Sequence, residues 1–71
     1  MKLIVNGKDS DLTEGLTVSR LLVEHQVKMP EMVSVELNGQ ILKRSQFDDT
    51  VLNHGDAVEF LYFMGGGSVT N

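Results

Sequence analysis

The residues best suited to chemistry are three consecutive glycines near the end of the sequence, Gly65, Gly66 and Gly67. Because glycine has no Cβ atom, such a segment fits a narrow channel and can carry a backbone carboxylate into the catalytic centre of another protein. Extended at about 3.3–3.6 Å per residue, residues 64–67 would reach on the order of 14 Å. Gly67 is followed by Ser68, so its carboxylate would become free only after cleavage of that peptide bond. The alternative is an inert, frayed segment.

The other polar residues give weak indications of catalysis. His25 and His54 are the two histidines and the sequence has no cysteine, so a metal site would need carboxylates to complete it. We expect His25 to be a partly buried helix residue, His54 a turn residue, and Asp48 and Asp49 solvated turn carboxylates. The glycines are not a phosphate loop, because no helix and no Lys-Ser or Lys-Thr pair follows them. We therefore expect no catalysis by this chain on its own, and chemistry at the glycines would need a partner protein.

The composition is that of one small acidic domain. The 71 residues are 41% hydrophobic and 23% charged, and the net charge of −4 disfavours binding to phosphate backbones. Without cysteine, packing alone must stabilise the fold. No apolar run is long enough for a signal peptide or a membrane span. The sequence therefore predicts a cytoplasmic protein that binds neither nucleic acid nor membrane and is monomeric on its own.

Local patterns predict two hairpins, a helix and a final strand. The Asn-Gly pairs at 6–7 and 38–39 lie between short segments of β-forming residues, which is typical of β-hairpins. Between the hairpins, Thr17 is a potential N-cap, and apolar residues at three- and four-residue spacing predict a helix of about ten residues. Pro30 ends the helical pattern. Residues 57–63 have the strongest strand pattern in the sequence.

The order of these elements predicts the fold class and the domain boundary. A lone helix must cover one face of a mixed sheet, which indicates an α+β, ubiquitin-like β-grasp fold with about four or five strands. The first and last strands, the most apolar, would lie side by side and parallel at the centre of the sheet. We predict a β-grasp domain over residues 1–63 and a flexible, glycine-containing tail over residues 64–71.

Alternation within the last strand predicts which side chains face the helix. Glu59 must point to solvent, because an unpaired buried carboxylate is strongly destabilising. Val58, Phe60 and Tyr62 then face the helix. The opposite face would carry Leu61 and Phe63 with Ile4 of the first strand beside them, an exposed apolar patch that marks a protein contact. We assign the partner-binding surface to that patch and the segment after it: Ile4, Leu61, Phe63, Met64 and Gly65.

Several short motifs occur together in this chain: Val5-Asn6-Gly7, Thr17-Val18, Leu21-Leu22, Val35-Glu36-Leu37-Asn38-Gly39, His54-Gly55-Asp56-Ala57-Val58-Glu59-Phe60 and the glycine run. Taken together, they resemble the ThiS family of sulfur carriers, within the MoaD/ThiS superfamily of ubiquitin-like proteins. The likeness covers residues 1–67, and the combination of Asn-Gly, Gly-Asp and a glycine terminus in so short a chain is fairly specific.

The resemblance implies a carrier whose terminal carboxylate, on Gly67 with Gly66 before it, is adenylated by a ThiF-like enzyme. That enzyme would use ATP, so the chain itself would bind no cofactor. Sulfur from a cysteine desulfurase or rhodanese-type donor would then give a thiocarboxylate, for transfer to thiazole synthase in thiamin biosynthesis or to another sulfur acceptor. Family members commonly end at the last glycine. Residues 68–71 would therefore be removed by a JAMM-type protease, as in some sulfur pathways other than thiamin.

Two other functions remain open from the sequence. A ubiquitin-like modifier would join Gly67 to a lysine through an amide bond, and a ladder of conjugates on a denaturing gel would reveal it. A plain interaction module would use the apolar patch and leave the glycine segment inert. Neighbouring genes would discriminate among these functions, because a thiazole synthase, a JAMM-type protease or a sulfurylation enzyme next door would each select a pathway.

Overall fold

The computed structural model describes residues 1–62, which form a five-stranded mixed sheet and one α-helix. The elements are β1 (Lys2–Val5), β2 (Lys8–Asp11), α1 (Val18–Glu24), β3 (Val33–Leu37), β4 (Gln40–Ile41) and β5 (Ala57–Tyr62), with 3-10 turns at Pro30–Met32 and Arg44–Gln46. The strand order is β2-β1-β5-β3-β4. β1 and β5 are parallel, and the other neighbours are antiparallel. The predicted β-grasp fold, with the first and last strands at its centre, is confirmed.

Both Asn-Gly pairs form the tight turns that the sequence predicts. The φ angles are 52° and 82° in the first pair and 51° and 87° in the second, as a type I′ hairpin turn requires. The asparagine side chains also bind β5. Oδ1 of Asn38 accepts a hydrogen bond from the N–H of Ala57, and Oδ1 of Asn6 accepts one from the N–H of Phe60, both at 2.9 Å. Each turn therefore ties its hairpin to the central strand.

The helix begins where the sequence predicts and ends earlier. The hydroxyl of Thr17 accepts a hydrogen bond from the N–H of Arg20 at 3.2 Å, which confirms Thr17 as the N-cap. The helix has seven residues rather than about ten. It ends because Gln26 adopts a left-handed conformation, with a φ of 51°. The N–H groups of Gln26 and Val27 then bond to carbonyls of the last helical turn, which is a Schellman ending.

The core lies between α1 and one face of the sheet. It also receives side chains from the segment between β4 and β5, whose sequence has no clear period. Phe47 and Leu52 from this segment are buried, and Val51 forms an isolated bridge with Thr17. The buried residues are Leu3, Val5, Leu16, Val18, Leu21, Leu22, Val33, Val35, Phe47, Leu52 and Val58.

Several predictions concern the part of the sequence beyond Tyr62. The domain boundary after residue 63 and five of the predicted site residues lie outside the described residues; these five are Phe63, Met64, Gly65, Gly66 and Gly67. Within residues 1–62, no helix is long and apolar enough to cross a membrane.

Candidate partner-binding face

The sheet has one face turned away from α1, which we call the open face. Strand pairing places the side chains of directly opposed residues on the same face, so the register defines its members. They are Lys2, Ile4, Asp9, Asp11, Ser34, Glu36, Ile41, Ala57, Glu59 and Leu61.

Burial along the two central strands follows the predicted alternation. On β1, Leu3 and Val5 are 0% and 3% exposed, whereas Ile4 between them is 38% exposed. On β5, Val58 is fully buried and the adjacent Glu59 is exposed. The orientation predicted for Glu59 is confirmed, and Ile4 lies on the open face as expected.

The register separates the two apolar residues that were expected to be neighbours. Ile4 lies level with Ala57 in the parallel β1–β5 pair, and Leu61 lies opposite Ser34 of β3. Leu61 lies four positions after Ala57 on β5, which is about 13 Å at the rise of a β-strand. Leu61 is also half-buried rather than fully exposed. The expectation that Ile4 lies beside Leu61 is therefore wrong, because alternation defines the face of a side chain but not the offset between strands.

Two carboxylates occupy the middle of the open face. Glu59 on β5 lies directly opposite Glu36 on β3, and Glu36 lies opposite Ile41 on β4. Ile41 is 57% exposed. Sequence reasoning did not assign Ile41 or Glu36 to the site. Two sequence features could have predicted their positions. The apolar residues that alternate along β3 point into the core, so Glu36 between them points outward, and the two-residue turn at 38–39 then sets which residues of β4 lie opposite β3.

The end of β5 differs from its prediction. Tyr62 lies opposite Val33, on the predicted face, but it is 39% exposed. Phe60, two residues earlier, packs edge-on against His25 with a centroid distance of 6.0 Å. Phe60 already lies against His25, the residue that caps the end of α1, and Tyr62 lies about 7 Å farther along β5. Tyr62 is therefore not covered as expected, and His25 is exposed rather than partly buried because it caps the end of the helix.

The histidine and carboxylate candidates outside this face make structural contacts. Nδ1 of His54 accepts a hydrogen bond from the backbone N–H of Lys2 at 3.1 Å, in the predicted turn. The carboxylate of Asp48 accepts one from the hydroxyl of Ser19. In the part of the chain that the structure describes, no group of three or more His, Cys, Asp or Glu side chains could hold a metal ion.

Solved structures similar to this chain come from Geobacter metallireducens. The crystal structure of its thiamine biosynthesis protein (ThiS) has a TM-score of 0.88 and 55% identity, and the match covers 94% of this chain and 100% of that chain. The solution NMR structure of a thiamine biosynthesis protein from the same organism has a TM-score of 0.77 and 53% identity, with 100% and 94% coverage.

Two curated proteins named thiazole synthase are also similar in sequence. The protein from Paramagnetospirillum magneticum is 38% identical over 68 residues, and the protein from Magnetococcus marinus is 34% identical over 67 residues. The alignments cover 96% and 94% of this chain but 21% and 20% of those proteins, so the chain spans about a fifth of their length. The profile of the ThiS family matches residues 3–67. The chain belongs to the ThiS family.

Proposed function

We propose that the chain is a sulfur carrier in thiamine biosynthesis and that its reactive group is the carboxylate of Gly67. Membership of the ThiS family carries this proposal, since the family profile extends to residue 67. The fold supports it, because β5, which leads toward the glycines, is paired on both edges by β1 and β3. A strand held on both edges is a rigid base from which to present a segment to another protein.

The chemistry proceeds in two steps on a partner enzyme. A carboxylate is a poor electrophile, so an oxygen of the Gly67 carboxylate first attacks the α-phosphorus of ATP and displaces pyrophosphate. The acyl-adenylate then has a good leaving group. Sulfide attacks the carbonyl carbon and displaces AMP to leave a thiocarboxylate. A persulfide on a cysteine desulfurase or a rhodanese-type donor would first form an acyl disulfide, and a thiol would then cleave its S–S bond, releasing the thiocarboxylate and forming a disulfide with the donor. A ThiF-like enzyme supplies the ATP site, and the chain acts as its substrate in the cytoplasm.

The open face is the surface that docks on the adenylating enzyme. Its apolar side chains include Ile4 and Leu61, at levels about 13 Å apart, and Ile41 at the level between them. Leu61 is one residue before the end of β5, so its level is the one nearer to the reactive glycines. The docking surface continues through Phe63, Met64 and Gly65, and Gly66 and Gly67 enter the channel of the enzyme.

Thiazole synthase is the sulfur acceptor that the relatives favour. Two proteins of that name each contain a segment similar to this chain, so carrier-like and thiazole synthase sequences occur together in one polypeptide. Because Gly67 is joined to Ser68 in this sequence, the thiocarboxylate also requires cleavage of that bond. A JAMM-type protease is the activity that we assign to this step.

Activation of Gly67 can be measured by ATP–pyrophosphate exchange with the ThiF-like enzyme of the same organism. The chain ending at Gly67 should support exchange, whereas the 71-residue chain should not, because residues 68–71 occupy the place of the ATP phosphate. Gly66→Ala and Gly67→Ala, made in the shorter chain, should slow exchange by steric exclusion. The melting temperature of each variant is the control, and we expect it to remain unchanged.

Equal exchange by the two chain lengths would contradict Gly67 as the reactive terminus. Exchange followed by amide-linked conjugates, seen as a ladder on a denaturing gel, would instead identify a ubiquitin-like modifier. Absence of any binding between the chain and the enzyme would favour a plain interaction module with a different partner.

A further inference from the structure

The open face carries more negative than positive charge. Among residues 1–62, the register places four acidic side chains on this face, Asp9, Asp11, Glu36 and Glu59, and one cation, Lys2, which lies opposite Asp11. The Lys2–Asp11 pair places opposite charges across neighbouring strands, the favourable arrangement. At the centre of the face, by contrast, Glu36 and Glu59 place two like charges across neighbouring strands, which is unfavourable.

Glu36 and Glu59 are directly opposed across the antiparallel β3–β5 pair. Directly opposed side chains have Cβ atoms about 4.5–5.5 Å apart, so two carboxylates there repel each other. The next residue of the face across β3 is Ile41. Two positions away along the strands lie Ser34 on β3, and Ala57 and Leu61 on β5. Within residues 1–62, the one ion pair joins Arg20 to Glu24 and involves neither carboxylate. We therefore expect the pair to destabilise the isolated chain.

We propose that the open face docks against a partner surface that inserts an arginine or lysine between Glu36 and Glu59. The cation would replace the repulsion with two charge-assisted contacts, and the neighbouring Ile41 and Leu61 would exclude water around it. A second copy of this chain does not fit, because face-to-face contact would bring two such glutamate pairs together. Charge complementarity thus selects a basic partner with apolar surface beside its cation.

This inference rests on the proposed function for the identity of the partner, which is the adenylating enzyme. It adds the chemistry of the contact: the enzyme should present a cation at the level of Glu36 and Glu59, between the level of Ile4 and that of Leu61. It also predicts that one substitution has opposite effects on the stability of the free chain and on its affinity for the partner. Removing either charge should stabilise the free chain and weaken its complex.

The first test uses the isolated chain and needs no partner. Glu36→Gln and Glu59→Gln should each raise the melting temperature by about 2–4 °C, because each substitution removes a like-charge pair. The double variant should gain little more than either single one, since one substitution already removes the repulsion. Glu14→Gln, at an exposed turn position, makes the same change in net charge and is the matched control. Equal shifts in all three single variants would show a net-charge effect and overturn the inference.

The second test measures binding to the ThiF-like enzyme by isothermal titration calorimetry. Each glutamine variant should bind about tenfold more weakly, and Glu14→Gln should bind like the unmodified chain. Rising salt should weaken the unmodified complex more than those of the glutamine variants. Unchanged affinity in Glu36→Gln and Glu59→Gln would overturn the inference and leave the proposed function intact. An enzyme that does not bind the unmodified chain would overturn the proposed function and, with it, the partner named here.

Discussion

The two faces of the sheet belong to the same strands and differ in almost every physical property. On the covered face, side chains such as Leu3, Val35 and Val58 are completely buried against the helix and loops. On the open face, the exposed Ile4 and Ile41 lie opposite the carboxylates of Asp9 and Glu36. Glu36 also lies opposite Glu59, and like charges in that arrangement are unfavourable. A domain of this size has few buried side chains with which to stabilise its fold, so one face serves stability and the other is available to a partner. The cost of a substitution should therefore follow strand position more than residue type.

The largest difference in stability should be between substitutions at two adjacent residues of β1, Leu3 and Ile4. Leu3→Lys places an ammonium in the core, and a chain of 71 residues is stable by only about 4–11 kcal/mol at the usual 0.05–0.15 kcal/mol per residue. We expect this variant to be unfolded by circular dichroism. Ile4→Lys places the same side chain on the open face opposite Asp9 and should keep the native spectrum. A folded Leu3→Lys variant would contradict the division between the faces.

A smaller effect should distinguish two positions of β5. Val58→Ala removes fully buried methyl groups and should lower the free energy of unfolding by about 2 kcal/mol, measured by urea denaturation. Leu61→Ala truncates a half-buried side chain and should cost about 1 kcal/mol. Binding to the adenylating enzyme should reverse the order, because Leu61 lies on the open face, which we propose as the docking surface. The comparison would fail if Leu61→Ala were the more destabilising of the two substitutions.

The covered face also depends on the helix that covers it. Thr17→Ala removes the N-cap hydroxyl that binds the N–H of Arg20, and it should lower the free energy of unfolding by about 1 kcal/mol. Thr13→Ala, at an exposed position outside the strands and the helix, is the matched control and should change stability little. Equal losses in the two variants would indicate that the cap does not stabilise the helix.

The smallest effect on stability should be at Ile41. This side chain is 57% exposed on the two-residue strand β4, so Ile41→Ala should change the free energy of unfolding by less than about 0.5 kcal/mol. Its effect should appear in binding, because it lies opposite Glu36 beside the proposed cation. Titration calorimetry with the adenylating enzyme would measure this effect. A loss of stability as large as that of Val58→Ala would place Ile41 in the core and contradict the account.

The parts of this structure that sequence predicts are those determined by local chemistry. The two Asn-Gly turns, the Thr17 N-cap and the alternation around Glu59 each depend on residues within a few positions of one another. The offset between β1 and β5 does not depend on nearby residues, because the alternation of side chains is preserved by any shift of two residues between the strands. The separation of Ile4 from Leu61 was therefore not predictable. The exposure of Tyr62 likewise depends on a distant event, the end of the helix at the left-handed Gln26.

The carrier chemistry of the glycine terminus has one direct test. The chain ending at Gly67 would be incubated with the ThiF-like enzyme, ATP and sulfide, and its intact mass would then be measured. We expect an increase equal to the replacement of one oxygen atom by sulfur, confined to the fragment that contains Gly67, and no increase when ATP is omitted. An unchanged mass in the complete reaction would contradict the proposal that this chain carries sulfur on its terminal glycine.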